Sequence, residues 1–317
     1  MNALNNIVIV EDADAEASMS VCRAIAMAGR IASDFGAQVY SSGIGMASFY
    51  ESAPPFLSIG KFGIAGAVSP PARIVLYAGA TMPIQAPVSV RLSLLPDPAE
   101  DRSATALTVM ASTGLMDAIG DPARAPLRLP GAQLDLAAGL SAYTAMAALL
   151  LKPGGGAAHV SLGDVGHWLN WKNIVMAQLT GTAPSRSGRA AEWQTLRCKD
   201  GWIALVYREN DWPAVKRLLN DPEMEDPALN DRRERRRRGA WIAARAEAAL
   251  AGMTRAEVTD FARRNRIPIG PVLSPEELRR DRQFLARGFL KDTPHGPMPR
   301  LPLLWNGAAT APGGGMA

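Results

Sequence analysis

The sequence predicts an α/β protein with a large domain built on a parallel βαβ unit and a smaller α+β domain after it. Three observations carry this prediction. The first forty residues run from a short apolar segment, through a helix-spaced segment, to a second apolar segment. An Ala/Leu-rich helix over 135–151 is followed by a further strand and helix. Beyond a polar linker at 180–189 the composition turns to charged helices.

The elements follow in chain order. Ile7-Val8-Ile9-Val10 is a short apolar run of the kind buried in a parallel sheet. Ser20 to Phe35 places Val21, Ile25, Ala28, Ile31, Ala32 and Phe35 at helical spacing, and Gly36 is a suitable stop. Gln38-Val39-Tyr40 resumes as strand, which gives the outline of a Rossmann-type half. The turn after the first strand reads EDADAEAS rather than GxGxxG, and its carboxylates would repel a pyrophosphate. Dinucleotide binding in the usual manner is therefore disfavoured. A Gly/Pro/Ser-rich stretch to about Pro98 holds two strand-like runs, 73–77 and 88–95, and 101–115 is weakly helical. Asp135 opens the segment DLAAGLSAYTAMAALLL, which should form a strong helix that ends at Pro153-Gly154-Gly155-Gly156. At that position its carboxylate can cap free N–H groups. Strand 159–162 and helix 164–179 complete this part. After the linker come a strand at 202–206, helices at 212–220, 231–250 and 254–265, the turn Ile267-Pro268-Ile269-Gly270-Pro271-Val272, and a last helix at 275–287. The closing ATAPGGGMA is low-complexity and expected to be disordered.

Composition narrows the function. The 317 residues are 48% hydrophobic and 20% charged, ordinary globular material with a formal net charge of +4. That small surplus can attract phosphates but does not select nucleic acid. The Arg232–Arg238 run is best read as a solvated helix face beside the acidic run Glu223–Asp226. Two distant cysteines and three histidines, with no CxxC or HExxH, point away from a disulfide framework or a metal site. The N-terminus lacks a basic segment leading into an apolar core. The apolar stretch around Leu140–Leu151, about a dozen residues, is shorter than a bilayer span. The expectation is a cytoplasmic protein without nucleic-acid or membrane partners.

Three pieces, in order, resemble the family III CoA-transferases, the group of formyl-CoA and carnitine CoA-transferases. They are GLMDAIGDPARAPLRLPGAQLDLAAGLSAYTAMAALL (114–150), KDGWIALVYRENDWPAVKRLL (199–219) and RNRIPIGPVLSPEELRRDRQFLARGF (264–289). The resemblance spans roughly two-thirds of the chain. It implies a Rossmann-like large domain built from both chain ends with a small domain between them. The expected division is 1–185 large, 186–288 small, and 289–317 returning to the large domain before the tail. It also implies an interlocked dimer, of two copies or with a paralogue, and transfer of CoA from an acyl-CoA to a carboxylic acid. CoA thioester is then a substrate, and no tightly bound cofactor is expected.

Within the resemblance, Gly120 and Asp135 hold the family spacing between a turn glycine and the Asp that carries the covalent intermediates, which makes Asp135 the candidate nucleophile. Lys61, in Ser58-Ile59-Gly60-Lys61-Phe62, is similar to a family segment whose basic side chains approach CoA, and it is the candidate cofactor contact. Other positions depart from the pattern. Gln38-Val39-Tyr40-Ser41-Ser42-Gly43 and Tyr77-Ala78-Gly79-Ala80-Thr81 replace CoA-holding segments, Phe62 replaces a second basic residue, and the last family helix is missing. Thr105 stands where the related racemases carry a base, so racemisation is disfavoured. The alternative to an active transferase is a catalytically impaired subunit that pairs with an intact paralogue.

Overall fold

The structure, a computed structural model, describes residues 3–64, 71–183, 185–186, 188, 191–305 and 307–313. Pro184, Ser187 and Arg189 of the linker, and the last four residues of the low-complexity tail, lie outside them. The chain divides into two compact units. The first comprises Met1–Ile119, Pro126–Pro184 and Leu285–Ala317, and the second Gly120–Ala125 and Ser185–Phe284.

The first unit begins with β1 (Val8–Ala13), α1 (Met19–Asp34), β2 (Gln38–Ser42), α2 (Ile44–Ser52), α3 (Pro55–Ser58) and β3 (Phe62–Ile64). It continues with β4 (Ile74–Ala78), β5 (Val88–Ser93), α4 (Ala106–Ser112), α5 (Gln133–Leu151), β6 (Gly156–Ser161), α6 (Leu162–Leu169) and α7 (Trp171–Thr180). The strands form one parallel six-stranded sheet in the order β3-β2-β1-β4-β5-β6. This is the doubly wound order that reverses beside β1, where such sheets open a crevice at their carboxyl ends. The α/β, Rossmann-like large domain read from the sequence is thus the fold observed.

Helix α1 forms because Ser18 caps it, accepting from Val21 N, and because its apolar face is nearly continuous. That face packs on Ile9, Ile74, Leu76, Val90 and Leu92 of the sheet, with Ala138, Ala142 and Met146 of α5 completing the core. In β5 the apolar residues alternate with Ser89, Arg91 and Ser93, whereas fully covered parallel strands run apolar throughout. Val88, Val90 and Leu92 point into the helix layer, and the serines and Arg91 point away from it.

Several boundaries differ from expectation. Glu11, Asp12 and Ala13 belong to β1 rather than to an acidic loop, because Glu11 is neutralised by a buried partner described below. The expected helix at 164–179 breaks at Asn170, whose side chain donates to Thr113 O at 3.0 Å. The apolar segment ending at Leu151 is longer than a dozen residues: α5 has 19 and is long and apolar enough to cross a membrane. It packs one face, Leu134, Asp135, Ala138, Gly139, Ala142 and Met146, against the unit, with contacts to α1, β5 and β6.

The second unit holds the antiparallel sheet β7 (Gln194–Cys198), β8 (Gly201–Leu205) and β9 (Gly270–Pro271). Its helices are α8 (Trp212–Leu219), α9 (Arg232–Arg237), α10 (Gly239–Leu250), α11 (Arg255–Asn265) and α12 (Pro275–Leu278), and α13 (Arg282–Ala286) straddles its end. The helix expected over 231–250 is interrupted at Arg238, whose side chain is drawn to Asp226 and Glu234. That expected over 275–287 is likewise two short helices.

The return to the first unit adds two hairpins, β10 (Leu290–Lys291) with β11 (Met298–Pro299) and β12 (Leu304–Trp305) with β13 (Ala308–Ala309). The described part of the tail is docked rather than loose. Gly313 N donates to Asp34 Oδ1 at 2.8 Å, and Gly313 meets Gly60 backbone to backbone. Both glycines have positive φ, and a Cβ on Gly60 would fall 2.2 Å from Gly313 Cα.

Candidate active site

Asp135 is the third residue of α5, and Ala132 occupies the cap position without a side-chain bond. Asp135 is therefore not the N-cap residue, the place its position in the sequence suggested, although its carboxylate accepts from its own first-turn N–H. It lies in the first turn, where the helix dipole favours negative charge, and it turns towards α1. Gly139, one turn further along, lets the helices approach so closely that a Cβ there would lie 2.6 Å from Met27 Cβ and 2.7 Å from Ala24 O. This approach brings Arg23 of α1 over Asp135, with Arg23 Nη1 2.5 Å from Asp135 Oδ2.

Asp135 is 3% exposed, whereas the Arg23 side chain is 30% exposed. Burial pushes the Asp135 carboxyl above the ordinary carboxylate value, and the Arg23 bond and charge, with a hydrogen bond from Ser20, pull it back. The outcome is a carboxyl group with raised proton affinity, the rise opposed by one guanidinium that itself reaches solvent.

A cavity of about 580 Å³ opens at the carboxyl ends of β1, β4 and β5, at the point where strand order reverses. Asp14, Glu16, Asp97 and Asp101 line it, with Arg91 as its cation. Asp101 accepts from Leu94 N and Leu95 N, both at 2.8 Å, and so fixes the end of β5. Asp135 does not line this cavity. Helix α1 serves both places: Ser18 and Val21 face the cavity, and Ser20 and Arg23 face Asp135.

Lys61 is placed elsewhere. Its ammonium donates to Glu11 Oε1 at 2.6 Å, to Ala26 O at 2.8 Å and to Tyr50 Oη at 2.6 Å. Glu11 also accepts from Ser41 at 2.8 Å and from Tyr50 at 2.6 Å. All three ammonium protons are taken by groups inside the unit, so a phosphate could reach Lys61 only if this cluster opened. Sequence reasoning missed the cluster because its members come from β1, β2, α2 and the segment before β3. The signal available was Glu11 inside an apolar strand, which demands a buried partner.

Thr105 caps α4, accepting from Thr108 N at 3.2 Å. The arginine run is largely neutralised within its own unit: Arg232 and Arg236 pair with Glu192, Arg237 and Arg238 with Glu234, and Arg235 with Glu209. Arg235 is a core residue, 1% exposed, packed over the Tyr207 and Trp212 rings. Among the described residues, no group of three or more His, Cys, Asp or Glu is placed to hold a metal ion.

Comparisons with known proteins bear on the fold and the family. A CAIB/BAIF family protein from Brucella suis superposes with a TM-score of 0.82 at 19% identity, covering 100% of this chain and 96% of its own. A hypothetical protein from Mycobacterium tuberculosis gives 0.76 at 20% identity, covering 96% of this chain and 93% of its own. At such identities the likeness is one of fold. No curated protein matches the chain. The family described as CoA-transferase family III matches residues 92–314, a span that includes Asp135, and the chain belongs to that family.

Proposed function

We propose that the chain is an acyl-CoA:carboxylate CoA-transferase in which Asp135 is the nucleophile. The observation that carries the proposal is the Asp135 carboxylate itself, buried in the first turn of α5 with raised proton affinity and paired with Arg23. A basic, dehydrated carboxylate is a better nucleophile than a solvated one, and exclusion of water protects an acyl-enzyme from hydrolysis. In the reaction, Asp135 attacks the thioester carbonyl and the C–S bond breaks to give a mixed anhydride and CoA thiolate. The thiolate attacks the Asp135 acyl carbon and releases the donor acid as a carboxylate. The acceptor carboxylate then attacks the aspartyl-CoA thioester, releasing the thiolate, which captures the acceptor acyl group and restores Asp135. The N–H groups at the start of α5, which lack partners within the helix, are suited to the oxyanion that forms at each addition.

A dimer fits this reading. Helix α7 buries none of its residues, and Trp171, Ile174, Val175, Met176 and Leu179 stand exposed along it. An apolar helix with no buried residue is suited to a contact with a second chain.

The test is direct. The purified protein is incubated with a panel of acyl-CoA thioesters, quenched with hydroxylamine and digested for mass spectrometry. A hydroxamate at Asp135, absent from Asp135→Asn, is the expected result. Unmodified Asp135 with every donor would sink the proposal.

One observation favours the second reading, an impaired subunit that pairs with an intact paralogue. The cavity at the sheet switch carries four carboxylates and one arginine, a poor lining for the phosphates of CoA, while Lys61 is occupied inside the unit. Under that reading the chain alone forms no hydroxamate, and co-expression with a full-length paralogue produces a stable, active complex.

A further inference from the structure

We infer that Arg23 is the carboxylate receptor of the site: it holds Asp135 in the resting protein and passes to the substrate carboxylate once Asp135 is acylated. The inference rests on the reading of Asp135 as the nucleophile and names what selects the second substrate.

Charge balance at the site leads to it. Among the described residues, Arg23 is the one cation paired with Asp135, at 2.5 Å. The resting pair is neutral overall. When the Asp135 oxygen bonds to the acyl carbon, the thiolate leaves with the C–S electron pair and Asp135 becomes an uncharged anhydride. Arg23 has then lost its partner. When the thiolate attacks the Asp135 acyl carbon, the C–O bond to the donor acyl group breaks, and the donor leaves as a carboxylate with that electron pair. Asp135 is again uncharged, now as a thioester, and a new carboxylate has formed beside a free guanidinium. The acceptor arrives at this same stage and must also be a carboxylate.

Geometry supports the exchange. Asp135 is sealed, but Arg23 is 30% exposed and roots in the second turn of α1, so its head is the part of the pair that touches incoming solute. Substrate therefore meets the guanidinium before it meets the nucleophile. The planar fork of arginine matches the two oxygens of a carboxylate and keeps its charge throughout. An alcohol or amine offers no charge to compensate Arg23, so Arg23 would favour transfer to acids over transfer to other nucleophiles.

The test separates binding from chemistry. An acyl-CoA that yields the Asp135 hydroxamate is mixed with the isotopically labelled free acid of the same acyl group, and label entering the thioester is followed. In Arg23→Gln, KM for the labelled acid should rise about 10- to 100-fold, the loss expected for one charge-assisted hydrogen bond, while KM for the acyl-CoA changes little. Arg23→Lys keeps the charge without the fork and should fall between Arg23→Gln and the unsubstituted protein. Unchanged KM for the acid in Arg23→Gln would overturn the inference while leaving Asp135 as nucleophile. So would a uniform loss of kcat in both variants together with a lowered melting temperature, which marks a merely structural role. If the unsubstituted protein forms neither hydroxamate nor labelled thioester, the nucleophile assignment falls and the inference falls with it.

Discussion

Lys61 Nζ stands 2.6 Å from Glu11 Oε1, and the two side chains are 5% and 0% exposed. Removing one member of such a pair strands the other charge away from water, at a cost of about 3–5 kcal/mol. Lys61→Met should therefore lower the thermal midpoint markedly. The double variant Glu11→Gln/Lys61→Met should lose less than the sum of the single changes, because no uncompensated charge remains. A contact to CoA phosphate predicts something else for Lys61→Met: a raised KM for acyl-CoA with little change in melting. Melting curves and KM on the same protein decide between the two.

Asp135 supplies a pH dependence. Burial raises its carboxyl above the ordinary 3.8, so activity that needs the charged form should fall on the acid side at a pH above that value. Arg23 opposes the rise, and Arg23→Gln should move the acid limb of acylation to still higher pH. Stability runs the other way. A carboxyl with a raised folded value holds its proton more tightly in the folded than in the unfolded chain. Its contribution is present below about pH 3.8 and is lost as pH rises through the folded value. The stability of the protein relative to Asp135→Asn, from urea melts at several pH values, should fall over that window and then level off.

Much of the fold is legible in the sequence because period and punctuation agree. The spacing in 20–35, the stop at Gly36 and the Ala/Leu helix ending at a Pro-Gly run all place elements within two residues of those observed. Elements α2, α3 and β3 are not legible. They are short, lie among Gly, Pro and Ser, and take their stability from the buried cluster of Glu11, Tyr50 and Lys61 rather than from local pattern. At the candidate site, Asp135 stands out in the sequence at the start of an Ala-rich helix and by family spacing. Arg23 is not, because nothing local in α1 marks which of its polar residues will meet a helix more than a hundred positions away.

The approach of α1 and α5 at Gly139 couples core packing to the site. In Gly139→Ala the new methyl meets Met27 Cβ at 2.6 Å and Ala24 O at 2.7 Å, one turn from the Arg23–Asp135 pair. Overpacking of this kind typically costs about 1–3 kcal/mol and is relieved by moving the helices apart. The expected result is a lower melting temperature together with a loss of Asp135 hydroxamate formation, since separation lengthens the ion pair. Gly252→Ala, where a Cβ meets nothing within 4 Å, serves as the control and should affect neither measurement.

Helix α7 tests the dimer. Leu179 is 77% exposed and Ile174 is 39% exposed, on a helix with no buried residue. If α7 faces water in a monomer, Ile174→Asp/Leu179→Asp should change stability by no more than about 0.5 kcal/mol per site and leave the mass in solution unaltered. If α7 lies in an interface between chains, each Asp places an unpaired carboxylate in an apolar contact, a change that subunits tolerate poorly. Light scattering should then show a dimer for the unsubstituted protein and half that mass for the double variant. A monomeric unsubstituted protein at micromolar concentration would remove the dimer from the reading. The hydroxamate assay, run on both species, would then show whether Asp135 is complete within one chain.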